Sequence, residues 1–127
     1  MLKVYSTSDG HASVRYTVTG LLNTPGEHIG LLTDIAKAKF WPKALRLDRV
    51  FFSFEKGLSA SLHWDDDEQT LIFPIAERGY FDFEGPFSGW SNPRNAGWTG
   101  NILLKVNGAD STRVWPFAIK LELTKQT

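Results

Sequence analysis

Two tryptophans and three polar side chains lie close together in the segment from Gly85 to Gly100. They are Trp90, Asn92, Arg94, Asn95 and Trp98. An indole face stacks on a sugar ring or a heterocycle, while amide and guanidinium groups bind hydroxyl, carboxylate or phosphate groups through directional hydrogen bonds. Since the prolines and glycines of this span prevent regular strand pairing, we expect a structured loop that binds a small polar ligand.

The same loop has a purely structural interpretation. Tryptophan is highly buried on average, so Trp90 and Trp98 could instead turn inward and cover the end of a sheet. The polar side chains would then satisfy the backbone of the loop itself, as in a self-packed Ω-loop. The exposure of the two indoles distinguishes these interpretations.

Tyr80 and His63 are added to the predicted ligand site. Tyr80 begins a predicted strand that runs to Phe83 and leads to the loop. Alternation places His63 on the outer face of its strand, beside Ser59 and Ser61. A serine–histidine–aspartate combination can be assembled here, but no Gly-x-Ser-x-Gly elbow accompanies it, and we interpret it as chance.

Acidic residues suggest two other kinds of chemistry. Asp82 and Glu84 lie on one side of a predicted strand and offer a carboxylate pair to a small hydrolase or isomerase, although solvent exposure explains them more simply. The run Asp65-Asp66-Asp67-Glu68 lacks the ligand spacing of an EF-hand calcium loop, and we interpret it as a solvated hairpin tip. No glycine-rich phosphate loop is present either. We therefore predict neither a metal nor a cofactor.

Charge and composition exclude several classes of protein. Fourteen basic residues balance fourteen acidic ones among 127, so no global field attracts a polyanion, and we predict no nucleic-acid partner. There is no cysteine to form a disulfide or bind zinc. The first ten residues lack the apolar run of a signal peptide, and no stretch has the length of a membrane span. We expect a cytoplasmic protein with no membrane partner.

One segment departs from this even charge distribution. Five basic residues surround Phe40 and Trp41 between Lys37 and Arg49, a pattern that can bind single-stranded nucleic acid. We favour a structural interpretation, in which the two aromatic side chains anchor a helix to a sheet.

Hydrophobic alternation and turn residues predict a mainly β fold. Asp9-Gly10 and Asn107-Gly108 are typical of tight hairpins, and further turn signals follow at short intervals. We expect an antiparallel meander of seven or eight strands, folded as a sandwich or a partly closed barrel.

The C-terminal strand has the clearest alternation. Its inward face is predicted to hold Trp115, Phe117, Ile119, Leu121 and Leu123. Pro116 cannot donate a ladder hydrogen bond, so we expect this strand at an edge, or bulged there. In the segment from Ala44 to Glu55 the alternation changes phase, which indicates either a β-bulge near Asp48 and Arg49 or burial of both faces.

One helix, from about residue 25 to residue 39, is predicted to cover one end of the sheet. Thr24-Pro25-Gly26-Glu27 matches a capping box, and an apolar stripe with helical spacing follows it. Gly26 and Gly30 weaken this helix, so it depends on packing against the sheet.

We thus predict a single domain, residues 1–127, and carry three hypotheses for its function. The first is a non-enzymatic binding module that uses the 85–100 loop. The second is an interaction protein that self-associates as a homodimer through an edge strand or exposed aromatic side chains. The third is a small hydrolase or isomerase that uses Asp82, Glu84 or His63.

Overall fold

A computed structural model describes residues 2–82 and 89–126, and in these residues nine strands form two antiparallel sheets. The strands are β1 (Leu2–Asp9), β2 (Ser13–Leu22), β3 (His28–Leu31), β4 (Ala44–Phe54), β5 (Ser59–Trp64), β6 (Leu71–Ala76), β7 (Arg78–Asp82), β8 (Ile102–Asn107) and β9 (Trp115–Gln126). One sheet has the order β1-β2-β9-β4-β7 and the other β3-β8-β5-β6. The sheets are not closed into a barrel, and the predicted mainly β, antiparallel fold is confirmed in its sandwich form.

The order of the strands differs from a meander. Only β1–β2 and β5–β6 are consecutive strands that pair with each other, and every other connection between the described strands passes from one sheet to the other. Alternation specifies which side of a strand is buried, but not which strand pairs with it. The turn signals therefore indicated where strands end, but they identified the neighbouring strand only at the β1–β2 and β5–β6 turns.

The core lies between the sheets, and β9 contributes its predicted inward face to it. All five inward side chains of β9 are buried, from Trp115 to Leu123. This strand pairs with β2 on one side and β4 on the other, over ten residue pairs on each side. The alternation predicted for this strand is thus confirmed, and it occupies the centre of its sheet.

Pro116 does not put β9 at an edge, and that prediction was wrong. Pro116 pairs with Leu21 of β2, and its carbonyl accepts a hydrogen bond from Glu55 N on the β4 side. In an antiparallel strand the N–H and C=O of one residue point the same way. The nitrogen of Pro116 therefore faces the β4 side, as its carbonyl does. The pairing with β4 ends at Phe54, so the lack of an N–H removes no hydrogen bond from the ladder.

The predicted bulge in β4 is confirmed. The register against β9 shifts between Leu47 and Arg49, which leaves Asp48 as the extra residue. Both Leu47 and Val50 are buried because the bulge restores the inward phase. The Asp48 carboxylate accepts hydrogen bonds from Arg46 and, at 2.5 Å, from the Thr124 hydroxyl.

The helix predicted from residue 25 to residue 39 was wrong. His28–Leu31 forms β3, which pairs with β8, and only Ile35–Lys37 makes a single 3₁₀ turn. Gly26 has φ = 99°, which no right-handed helix accepts, and the Thr24 hydroxyl contacts His28 Nε2 instead of capping a helix. Pairing with the edge of β8 satisfies this backbone more fully than an isolated helix weakened by two glycines.

Gly20 should tolerate no side chain, because the Phe117 ring lies where its Cβ atom would be. We expect Gly20→Ala to lower the free energy of unfolding by about 1–3 kcal/mol, as other overpacking changes do. Urea denaturation measures this. Gly10→Ala is the control, since a Cβ there would meet only Ser13 O at an ordinary 3.5 Å. A Gly20→Ala protein as stable as the parent would contradict this packing.

Candidate functional site

The loop of residues 89–101, which contains the described part of the predicted 85–100 loop, is held by hydrogen bonds to the turn between β5 and β6. Asp67 N donates to Ala96 O at 3.0 Å, and Thr99 N donates to Asp65 O at 3.1 Å. Residues 85–88, together with Phe83 and Glu84, lie outside the described residues. Where it is described, the segment is irregular, apart from an isolated bridge at Trp90. It is a structured loop, as its prolines and glycines predict.

Asp66 is the acidic group that holds this loop in place. Its carboxylate accepts from Thr70 N at 2.9 Å and from the Thr70 hydroxyl at 2.7 Å, and that hydroxyl accepts from Asn95 Nδ2 at 3.0 Å. Burial opposes the charge, but hydrogen bonds from Thr70, Asn95 and Gln69 outweigh it and hold the pKa of Asp66 below its ordinary value. Because Asp66 is buried, this turn is more than the solvated tip predicted from the sequence.

The remaining acidic chemistry is not assembled in the described part of the chain. No group of three or more histidine, aspartate and glutamate side chains placed to hold a metal ion occurs among the described residues. Asp82 lies 3.5 Å from Arg49 and accepts from the Tyr80 hydroxyl. Glu84, its partner in the hydrolase hypothesis, lies outside the described residues.

Trp90 is neither fully exposed nor turned into the core, the two positions predicted as alternatives. Its backbone forms two hydrogen bonds of 2.8 Å with Leu47 of β4, while its ring stacks on Phe73 of β6 with centroids 5.9 Å apart. The side chain nevertheless keeps 41% of its surface exposed. Trp90 is thus positioned by both sheets and still presents indole surface to solvent.

The guanidinium group of Arg94 lies over the indole ring of Trp98. The Arg94 Cζ atom lies 5.1 Å from the centre of the half-buried indole. Arg94 itself is exposed and has φ = 56°, an uncommon conformation for a residue with a side chain. Its backbone N–H donates to Asn92 Oδ1 at 2.8 Å, which stabilises this turn.

Asn92 is the most unusual polar residue of the loop. It is buried, and because its Oδ1 accepts from Arg94 N, the assignment of its amide is fixed. Its Nδ2 is fully buried and has no hydrogen-bond partner, the single side-chain atom in that state among the described residues. A buried donor without an acceptor is destabilising, and folded proteins contain few of them.

Tyr80 lies apart from the loop side chains described above. It is on the outer face of the five-stranded sheet, where its ring contacts Phe51 at 4.5 Å and its hydroxyl donates to Asp82. Phe81, on the opposite side of β7, contacts Phe73, on which Trp90 stacks. Partial desolvation and the hydrogen bond and negative charge of Asp82 raise the pKa of Tyr80.

His63 lies on β5 and forms a pair with Ser61. The Ser61 hydroxyl is 2.7 Å from His63 Nε2, and His63 Nδ1 is 2.8 Å from the carbonyl of Gln69. A carbonyl only accepts, so in the neutral ring Nδ1 donates and Nε2 accepts from Ser61. In place of the aspartate of a serine–histidine–aspartate combination, His63 has the backbone carbonyl of Gln69. The nearby Asp66 does not take this place, because both of its carboxylate oxygens bind Thr70. His63 is a buried histidine with two hydrogen bonds, one of them to Gln69 in the turn between β5 and β6.

The predicted helix anchor is wrong, because Trp41 is almost fully exposed and only Phe40 contacts the sheet, with its ring 4.5 Å from the His11 ring and 5.5 Å from Lys125 Nζ of β9. Trp41 is 88% exposed and Phe40 is 55% exposed, and their φ angles are 44° and 65°. The segment is held by its backbone, because Lys39 O accepts from Lys125 Nζ at 2.7 Å and Lys39 N donates to Asp9. Sequence pattern gave no signal for this exposure, since aromatic residues near basic ones also occur in packed helix ends.

Comparison with known proteins adds no functional assignment. No protein-family model matches the chain, and no curated protein matches it either. Among the described residues, no helix reaches the length and apolar character needed to cross a bilayer. The geometry of this chain alone therefore has to indicate its function.

Replacing Asp66 should destabilise the protein in a pH-dependent way. Because the folded pKa of Asp66 lies below its ordinary value, its contribution is fully present above about pH 5 and is lost as pH falls through the folded pKa. We expect Asp66→Asn to lower the free energy of unfolding by about 1–3 kcal/mol at pH 7. That difference should shrink between pH 4 and pH 2.

Urea denaturation at a series of pH values measures both proteins, and Glu68→Gln serves as the control because Glu68 is an exposed acid of the same turn. A difference between Asp66→Asn and the parent that stays constant down to pH 2 would show that the charge of Asp66 does not support the loop.

Proposed function

We propose that the protein is a non-enzymatic binding module that holds a small polar ligand on the loop of residues 89–101. The observation that carries the proposal is the buried Nδ2 of Asn92, which has no acceptor among the described residues. Leaving such a donor unsatisfied costs about 1–3 kcal/mol. Because Nδ2 is buried, a ligand oxygen that bonds to it must first displace the groups that cover it, and the hydrogen bond gained then offsets this cost.

The neighbouring side chains favour a hydroxylated ring that carries an anionic group. The exposed indole surface of Trp90 can contact the apolar face of a sugar ring. Arg94 offers a planar set of donors that matches a carboxylate or a phosphate. Its position over Trp98 restricts the guanidinium before any ligand arrives. An acidic sugar or a sugar phosphate therefore fits this set of groups best.

The hydrogen bonds beneath the loop support the same proposal. Asp66, Thr70 and Asn95 fix the loop from one side, and the bridge between Trp90 and Leu47 fixes it from the other. A loop that is ordered in advance loses less conformational entropy when it binds. Such rigidity lowers the entropic cost of holding a ligand at the loop.

Glucuronate should bind at this loop. We expect the indole N–H signals of Trp90 and Trp98 to shift selectively in nitrogen–proton correlation spectra when glucuronate is added, because both rings belong to the site. Glucose, which has the same ring without the carboxylate, should bind more weakly. Arg94→Gln should reduce the affinity for glucuronate about tenfold or more, since a hydrogen bond to a charged group contributes about 1.5–3 kcal/mol.

Trp41→Ala is the matched control, because it removes an exposed tryptophan from a different loop. It should leave glucuronate binding unchanged. Indole signals that stay still with glucuronate and glucose 6-phosphate would contradict the proposal. So would a Trp90→Ala protein that loses more than about 3 kcal/mol of stability, a loss typical of a core aromatic residue.

A second function is favoured by a different observation, the exposure of Phe40 and Trp41. Left-handed backbone costs about 1–2 kcal/mol for a residue with a side chain, and here two consecutive aromatic residues adopt it. Exposed tryptophan is also a typical anchor of protein–protein interfaces. Self-association through Phe40 and Trp41 would bury the indole of Trp41, and the free energy gained would offset the cost of the left-handed backbone.

Sedimentation equilibrium tests the second function. If Trp41 forms an interface between two copies, the mean mass should rise with concentration above the 14.3 kDa of one chain, and Trp41→Ser should abolish the rise. Leu71→Ser is the control, because it removes an exposed apolar side chain elsewhere. A constant monomer mass at millimolar concentration would rule out self-association.

A further inference from the structure

A cleft of about 320 Å³ opens between the two sheets beside the segment that joins β2 to β3, and we call it the edge cleft. Its floor consists of four buried side chains from three strands: Leu22 of β2, Leu104 and Val106 of β8, and Phe117 of β9. Its volume lies at the lower end of the range of about 300–1,000 Å³ that is typical of small-molecule sites. The edge cleft can therefore hold a compact molecule with one or two rings.

The mouth of the edge cleft combines apolar and polar groups. Leu21 and Ile29 are exposed beside it, and Asn23, Thr24 and His28 also line it. His28 Nε2 is 2.9 Å from the carbonyl of Thr24, which only accepts, so Nε2 is the donor. In the neutral ring, Nδ1 of His28 is then an acceptor. The mouth thus offers hydrogen-bond acceptors above an apolar floor.

The charge of the mouth comes from one residue. Among the described residues that line the edge cleft, Glu27 is the only aspartate, glutamate, lysine or arginine. Its carboxylate accepts a hydrogen bond from Asn107 Nδ2 at 3.5 Å, and none of the ion pairs of the described residues involves it. A carboxylate beside an apolar floor favours a ligand with an apolar body and a cationic head.

We propose that the edge cleft binds a small amphipathic amine, with its apolar body on Phe117, Val106 and Leu104 and its ammonium group beside Glu27. This site is separate from the proposed ligand loop. The edge cleft lies at the Val106 end of β8, where Val106 pairs with His28. The loop instead leads into the other end of β8, where Ile102 pairs with Trp64. The two sites can therefore be tested independently.

Three indole compounds test this proposal because they share a ring and differ in the head group: tryptamine, tryptophol and indole-3-acetate. Carbon–proton spectra of methyl-labelled protein report the location, and titration gives the affinity. We expect tryptamine to shift the methyl signals of Leu22, Leu104 and Val106. It should bind about threefold to fivefold more tightly than tryptophol, which corresponds to one partly exposed ion pair, and indole-3-acetate should bind most weakly.

Two charge-neutralising variants complete the experiment. Glu27→Gln should bring the affinities for tryptamine and tryptophol together. Glu68→Gln removes the same charge at the turn between β5 and β6 and should leave the preference intact. Arg94→Gln, which disables the proposed loop site, should not change tryptamine binding.

Three results would overturn the proposal. Unmoved methyl signals with all three compounds would exclude the site, and equal affinities in the parent protein would exclude the preference for a cation. A shift of the Trp90 indole signal in place of the methyl signals would assign the amine to the loop. None of these outcomes depends on whether glucuronate binds.

Discussion

Burial of the inward face of β9 is the interaction on which the rest of the structure depends. Five large apolar side chains alternate along this strand, and each contributes about 1.5–3 kcal/mol when it is removed from water. Together they contribute on the order of 10 kcal/mol, which is as large as the whole net stability of a typical domain. A second sheet must cover this face, and β2 and β4 must flank it, so the position of β9 determines both sheets.

This arrangement also determines where ligands can bind. The inward faces are filled, and the accessible positions are the ends of the sandwich and its open edges. At one end, the 89–101 loop bridges from β4 to the turn between β5 and β6 through Trp90 and Asp67. At another edge, the short strand β3 covers only part of β8 and leaves the edge cleft beside Phe117. Both candidate sites are thus consequences of how the core is closed.

The sequence predicted the features that follow from local alternation and failed where pairing between distant strands decides the outcome. The inward face of β9 was predictable from the period of two in its apolar residues. The bulge at Asp48 was predictable because the phase of that period changes there. The region of β3 was predicted as a helix, since its apolar residues also fit helical spacing, and only pairing with β8 decides between the two. The edge cleft could not be predicted either, because its mouth is lined by residues of the segment that was predicted to be helical.

The candidate loop was only partly predictable. Its irregular backbone followed from glycine and proline, but the buried amide of Asn92 and the fastening by Asp66 depend on contacts with a distant turn. Likewise, Tyr80 is close to the loop in sequence, yet its side chain lies on the outer face of the five-stranded sheet, against Phe51. The sequence can thus identify a loop that is able to bind a ligand. Which of its side chains have hydrogen-bond partners within the protein, and which do not, depends on the fold.

The most direct test is the side-chain amide signal of Asn92 in nitrogen–proton spectra, assigned with Asn92→Asp. If the loop binds an acidic sugar through Asn92, one amide proton of Asn92 resonates upfield in the free protein, as an unbonded donor does, and moves downfield when glucuronate is added. A signal that is already downfield and does not respond to any acidic sugar would show that a bound water satisfies Asn92, and the loop would then be structural.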